Sequence, residues 1–283
     1  MPFLETPALR TDTARAYYRH WPAAEPRAAV VFLHGFGEHT GLYHRYGFTL
    51  NAAGIDLWAV DQLGHGLSPG RRGDFGTLAD SSALAEALTV IVEQQRPGLP
   101  LIAAGHSFGS VVTALRLVEQ PARYRAGIIS GAPLAPVADL LDVDTSLDLD
   151  PSWLSGDPFY LDALENDPLA FVGPGASEAT GGGQADSAPL TRALDAAWDR
   201  FGSELPTLTV PTLAVHGVGD PIAPVGPVRA YAEQIDALQI AEFPAAKHDI
   251  LNETVHRDVA TTVIAFIAAT LGWHSVRDGT RAE

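Results

Sequence analysis

The sequence predicts an α/β protein: a mostly parallel central sheet covered by helices on both faces, with one mainly helical insertion. Three observations carry that reading. Short apolar runs alternate with longer stretches of helical periodicity from residue 28 onward. The short runs are apolar throughout rather than alternating, as strands covered on both faces are. With 46% apolar and 18% charged residues, a chain of 283 can bury a sizeable core.

The elements follow in order. The first twenty residues supply one or two antiparallel strands at the sheet edge. Residues 28–33 (AAVVFL), 55–60 (IDLWAV), 101–104 (LIAA), 127–129 (GII), 212–215 (TLAV) and 238–243 (LQIAEF) read as buried strands. Between them, residues 41–53, 79–95 and 108–120 carry helical spacing and meet stops such as Pro97 and Pro121. Residues 254–271 form the last helix. The apolar run 259–273 is about 15 residues long, too short to span a bilayer, and Thr261, Thr262 and Thr270 interrupt it.

Residues 134–206 break the rhythm. They hold 14 acidic residues against Arg192 and Arg200, so about -12 of the formal charge of -16 lies here. Asp139, Asp142, Asp144, Asp148 and Asp150 come in one run, and 173–189 (GPGASEATGGGQADSAP) has a flexible composition. The expected organisation is a first part of the core over 1–133, an inserted acidic lid over 134–206, and a second part of the core over 207–283.

Composition removes several function classes. Without cysteine there is no disulfide scaffold, thiolate zinc site or thiol nucleophile. Lys plus Arg is 18 against 34 acidic residues, so a basic nucleic-acid footprint is absent. The opening MPFLE shows no basic segment leading into an apolar run, so no secretory leader is expected and a cytoplasmic protein is the default.

The strongest local signal is GHSFG at 105–109. A strand precedes it and a helix follows, the geometry that lifts a serine hydroxyl out of a tight turn, making Ser107 the candidate nucleophile. A serine hydroxyl needs a base, and the base an orienting acceptor. Asp220 lies in the loop after strand 212–215, and His248 in the loop after strand 238–243. All three fall at strand carboxyl ends, where ligands of parallel sheets gather, in the order Ser, Asp, His. His256, inside the last helix, and His274, beyond it, are weaker candidates. The turn His34-Gly35-Phe36-Gly37 follows strand 28–33. Backbone N–H groups of Phe36 and Phe108 are the candidate oxyanion donors. An unperturbed imidazole predicts a titration midpoint near pH ~6 to 7 for the base.

Hydrolysis at a metal is the competing route. His34, His39 and His44 recur every five residues, with Asp61 and His65 further on, but a five-residue step does not align imidazoles on a helix face and no HExxH occurs. No metal and no cofactor are expected. Aromatics of the insertion, Trp153, Phe159, Phe171, Trp198 and Phe201, either line an acyl pocket or pack the insertion onto the core.

Five ordered motifs, HGFGEHTGLY (34–43), DQLGHGLS (61–68), GHSFG (105–109), HGVGD (216–220) and KHDILNE (247–253), resemble the monoacylglycerol lipase and lysophospholipase branch of the serine α/β-hydrolases. The resemblance implies the α/β-hydrolase fold and covers most of the chain outside the insertion. It implies a cofactor-free ester hydrolase acting on a small, mostly apolar ester such as a monoglyceride or lysophospholipid. Leu42 stands where family members often carry Arg, and Leu251 where animal members carry a second His. In the family both positions tend to contact the polar end of the substrate. Leu42, Leu251 and His106 therefore join Trp153, Phe159, Phe171 and Trp198 as candidate substrate contacts. A C–C hydrolase or perhydrolase using the same residues, and a non-catalytic binding protein on this fold, are the alternatives.

Overall fold

A computed structural model describes residues 3–5, 15–136, 150–171 and 188–273. In chain order its elements are β1 (Phe3–Glu5), β2 (Arg15–Trp21), β3 (Ala28–Leu33), α1 (His44–Ala52), β4 (Ile55–Val60), α2 (Leu78–Gln95), β5 (Leu101–His106), α3 (Phe108–Glu119) and β6 (Ala126–Ser130). After β6 come α4 (Pro151–Leu154), α5 (Pro158–Glu165), α6 (Ala188–Glu204), β7 (Thr212–Gly217), α7 (Gly226–Ala232), β8 (Leu238–Phe243) and α8 (His256–Thr270). The eight strands order as β1-β2-β4-β3-β5-β6-β7-β8. β1 pairs antiparallel with β2 and β2 with β4, and every later neighbour is parallel. This is the α/β-hydrolase fold.

The parallel strands are continuous apolar runs because both faces are covered. β3, β4 and β5 are buried along their whole length. One face carries Val30, Phe32, Leu57 and Val215 against Leu50 of α1 and Val259, Val263 and Ile267 of α8. The other carries Val31, Leu33 and Ala103 against α2, α3 and α6. The apolar stretch at the end of the sequence is thus a docked helix, buried at i, i+4 and i+8 through Val259, Val263 and Ile267. No helix among the described residues is long and apolar enough to cross a membrane.

Helix starts follow local chemistry. Thr77 and Asp80 form a reciprocal capping box at α2, satisfying two otherwise orphaned N–H groups. Between β6 and β7, Asp150 caps α4 and Asp157 caps α5, with Pro151 and Pro158 directly after them. Two of the acidic residues of this segment are therefore helix caps. Asp167 pairs with His39 at 2.8 Å, and Glu204 with Arg200 at 2.6 Å. The run Asp139–Asp148 and most of the glycine tract lie outside the described residues.

Several boundaries shift from their expected positions, for identifiable reasons. β5, β6 and β7 each run longer than their apolar cores because Gly105, His106, Ser130, His216 and Gly217 continue the extended backbone into the loops. The expected helix 41–53 is a 3-10 turn, Thr40–Tyr43, followed by α1. α7 was not legible, since its seven residues begin Gly226-Pro227 and bury only Val228.

Candidate active site

Ser107 occupies the turn between β5 and α3. Its φ of 49° makes it the one non-glycine residue with positive φ among those described. Such a conformation costs about 1–3 kcal/mol and persists only where the surroundings over-determine it. Here β5 is clamped between β3 and β6, and the Ser107 N–H donates to Ser130 O at 2.9 Å. Both glycines of the motif are sterically required. A Cβ on Gly105 would strike the Gly109 carbonyl and lie 2.6 Å from Thr113 Oγ1, and one on Gly109 would strike the Leu33 carbonyl.

His248 and Asp220 reach this serine from the loops after β8 and β7. His248 Nε2 lies 2.9 Å from Ser107 Oγ, and its Nδ1 lies 2.8 Å from Asp220 Oδ2. The Asp220 carboxylate fixes the tautomer: Nδ1–H donates to Asp220, leaving Nε2 to accept the serine proton. Asp220 Oδ1 accepts the Ile222 and Ala223 N–H groups, both at 2.9 Å. Burial alone raises the Asp220 pKa, but the His248 charge and these hydrogen bonds outweigh it and hold the carboxyl below its ordinary range. Burial likewise depresses His248, and the Asp220 charge and hydrogen bond overcome this, pushing the imidazole up to about 9. The midpoint expected from an unperturbed imidazole is thereby revised upward.

The Phe36 and Phe108 N–H groups make no hydrogen bond among the described residues, Phe36 in the loop after β3 and Phe108 at the first position of α3. The loop carrying Phe36 is fixed from three sides. Gly35 N–H donates to Glu38 Oε2 at 2.7 Å, His34 accepts the Gln62 N–H at 2.9 Å, and Gln62 Nε2 donates to His34 O at 2.7 Å. The Phe36 ring packs edge-on against His65, Phe75 and Phe171. Two free donors and a serine held by an oriented imidazole can stabilise a tetrahedral oxyanion.

Beside the triad lies a buried polar network that sequence reasoning missed. His106 Nε2 lies 3.1 Å from Asp249 Oδ1, and His106 Nδ1 lies 3.1 Å from Ser130 Oγ. The Tyr160 hydroxyl donates to Asp249 Oδ2 at 2.7 Å and lies 3.4 Å from Glu38 Oε1. Tyr43 donates to Glu38 Oε2 at 2.7 Å. Glu38, Tyr43, His106, Asp249 and Tyr160 are all at most 5% exposed. Glu38 and Asp249 stood inside the motifs HGFGEH and KHDILNE, and an acid directly beside the candidate base was the available signal.

The remaining candidates distribute unevenly. His106 has both ring nitrogens engaged in that network. Phe171 is buried against Phe36, and its N–H donates to Gly37 O at 2.9 Å, so it does reach the oxyanion loop. Leu42 packs on an apolar cluster of Leu154, Tyr160, Leu164, Ala170 and Ile222, between the Asp220 loop and α4–α5. Leu251 is buried in the core on the α1/α8 face. Trp198 donates from Nε1 to Pro133 O at 2.8 Å and packs with buried Phe201 against the core. Trp153 is 40% and Phe159 69% exposed, and the Arg45 guanidinium lies over the Phe159 ring.

The histidines first weighed as metal ligands hold loops instead: His39 accepts the Gly41 N–H, His65 bonds Leu63 O, and Asp61 accepts from Thr40 and Leu67. Among the described residues, the group with metal-ligand proximity is His106, His248 and Asp249, with ligand atoms within 4.8 Å of one another. Those atoms already serve Ser107 and the His106–Asp249 contact.

Sheet order and the strand–turn–helix carrying Ser107 define the class, an α/β-hydrolase, with Ser107, His248 and Asp220 hydrogen-bonded in line at the carboxyl edge of the sheet. Residues 24–255 match the family described as serine aminopeptidase, S33, and the chain belongs to it. It is 29% identical over 277 residues to the monoacylglycerol lipase of Mycolicibacterium smegmatis, covering 91% of this chain and 94% of that protein. It is also 29% identical over 243 residues to the human monoglyceride lipase, covering 78% and 75%. Among solved structures, a carboxyl esterase from Bacillus coagulans in complex with glycerol shares the fold, with a TM-score of 0.77 at 22% identity, covering 93% of this chain and 97% of that one.

Proposed function

We propose that this protein is a serine hydrolase of carboxylic esters, working through an acyl-enzyme on Ser107. The observation that carries the reading is the hydrogen-bonded line Ser107–His248–Asp220 at 2.9 and 2.8 Å, ending at a strained serine beside two free N–H donors. Ser107 Oγ bonds to the ester carbonyl carbon as its proton passes to His248 Nε2. The carbonyl oxygen becomes an anion held by the Phe36 and Phe108 N–H groups. As the C–O bond to the alcohol breaks, His248 returns the proton to the departing oxygen. Water repeats the sequence, its proton moving through His248, and the carboxylic acid leaves with Ser107 restored. Asp220 keeps Nδ1 protonated and stabilises the imidazolium throughout.

The substrate is a small, mostly apolar lipid ester of the monoacylglycerol or lysophospholipid type. The relatives named above support the lipid class. The helices α4, α5 and α6, inserted between β6 and β7, act as the lid over 134–206. A panel of p-nitrophenyl esters of increasing acyl length, followed by monoglyceride, lysophospholipid and aminoacyl anilide assays, tests this. Turnover of esters, abolished in Ser107→Ala, is expected. Turnover confined to anilides would replace the ester reading.

A further inference from the structure

The network beside the triad contains two buried carboxyl groups with no arginine or lysine among the partners described above. Tyr160 has one hydroxyl proton and spends it at 2.7 Å on Asp249 Oδ2. Its second contact, 3.4 Å to Glu38 Oε1, is the weaker of the two. Burial and the neighbouring Asp249 charge raise the Glu38 pKa above its ordinary value, against the hydrogen bonds from Tyr43 and Gly35. The Asp249 carboxylate accepts from Tyr160 on Oδ2, and its Oδ1 lies 3.1 Å from His106 Nε2.

That anion adjoins the catalytic ring. An Asp249 oxygen and a His248 nitrogen lie within 4.8 Å, and the His106 and His248 ring centroids are 4.9 Å apart. Asp249 faces His106 from β5, Tyr160 from α5, Glu38 and Tyr43 from the loop and turn after β3, and His248 from its own loop. Asp220 and His216 meet each other on the β7 side. Burial depresses His216, so its ring is neutral at ordinary pH.

We propose that Asp249, held between His106 and Tyr160, is a second carboxylate serving the catalytic base: a positioning residue whose charge favours the imidazolium formed on His248 when Ser107 gives up its proton. This rests on the serine-hydrolase reading above. It also assigns a task to α5, which brings Tyr160 from the inserted segment to the base.

The test reads the pH dependence of Ser107 labelling by a fluorophosphonate, which needs the serine and its base but no knowledge of substrate. An opposite charge within ~4–6 Å shifts a pKa by about 1–3 units. Asp249→Asn is expected to move the acid-limb midpoint down by at least about one unit, and Asp249→Glu to restore much of it. Asp249→Ser, a second neutral replacement, moves the midpoint the same way, which covers failure of the asparagine variant to fold. A folded Asp249→Asn or Asp249→Ser enzyme whose midpoint is unmoved overturns the proposal, whether or not it labels more slowly. Absence of labelling in the wild type overturns the serine-hydrolase reading and this inference with it.

Discussion

Gly109→Ala isolates geometry from chemistry, since neither residue brings a reacting group. A Cβ at this position would lie 2.7 Å from the His34 carbonyl oxygen and nearer still to that of Leu33. Ordinary contact begins near 3.4 Å, so α3 must withdraw from β3 by roughly 0.7 Å or more. The Phe108 N–H and Ser107 travel with α3, whereas the Phe36 N–H stays on the loop after β3. The two oxyanion donors are thereby pulled out of register with each other. Loss of one such donor costs 10²–10³ in kcat, and misplacement of about 1 Å can cost ~10²-fold. We expect kcat for p-nitrophenyl butyrate to fall by about 10²-fold with KM changed by no more than about threefold. The accompanying overpacking should destabilise the fold by about 1–3 kcal/mol, read by thermal unfolding. A folded Gly109→Ala enzyme with wild-type kcat would refute the claim that the β3–α3 contact sets the oxyanion site.

Other expectations follow from the charges at the site. His248 must be neutral to act as base, so kcat/KM should rise with pH through a midpoint above 6.5 and toward 9; a midpoint at or below 6.5 would contradict the paired imidazole. By linkage, a raised imidazole pKa contributes stability that is present in full below pH ~6.5 and lost as pH rises through about 9, so Tm should fall across that window, and less so in Asp220→Asn. His248→Ala should lose several orders of magnitude in kcat/KM, whereas His256→Ala, at the start of α8, should be nearly silent; the reverse result would move the base. The acidic segment 134–206 should slow esters with an anionic head group relative to neutral esters of equal acyl length, and added salt should narrow the gap. An identical salt response for both would reduce those carboxylates to a solvated surface.

The frame of the candidate site was legible because each part is tied to one short stretch of chain. Apolar runs marked the strands, and Ser107, Asp220 and His248 each follow a strand by a few residues, so sheet topology alone converges them. Glycines at 105 and 109 announced a turn that tolerates no side chain. The buried network was harder to read. Tyr160 comes from a helix 122 residues along the chain from Glu38, and no local pattern announces that its hydroxyl will meet Asp249. His106 stands among the candidate substrate contacts, yet both its nitrogens meet protein partners. Likewise the aromatics of the insertion share composition but not role. Phe171 reaches the oxyanion loop, Trp198 bonds a carbonyl of the core, and Phe159 faces solvent.

The central claim, that Ser107 is the activated nucleophile, is tested most directly by intact-mass spectrometry after fluorophosphonate treatment, with the adduct mapped by peptide sequencing. One adduct per chain, on Ser107 and absent from Ser107→Ala, is the expected result; an adduct on any other residue, or one persisting in Ser107→Ala, would contradict it.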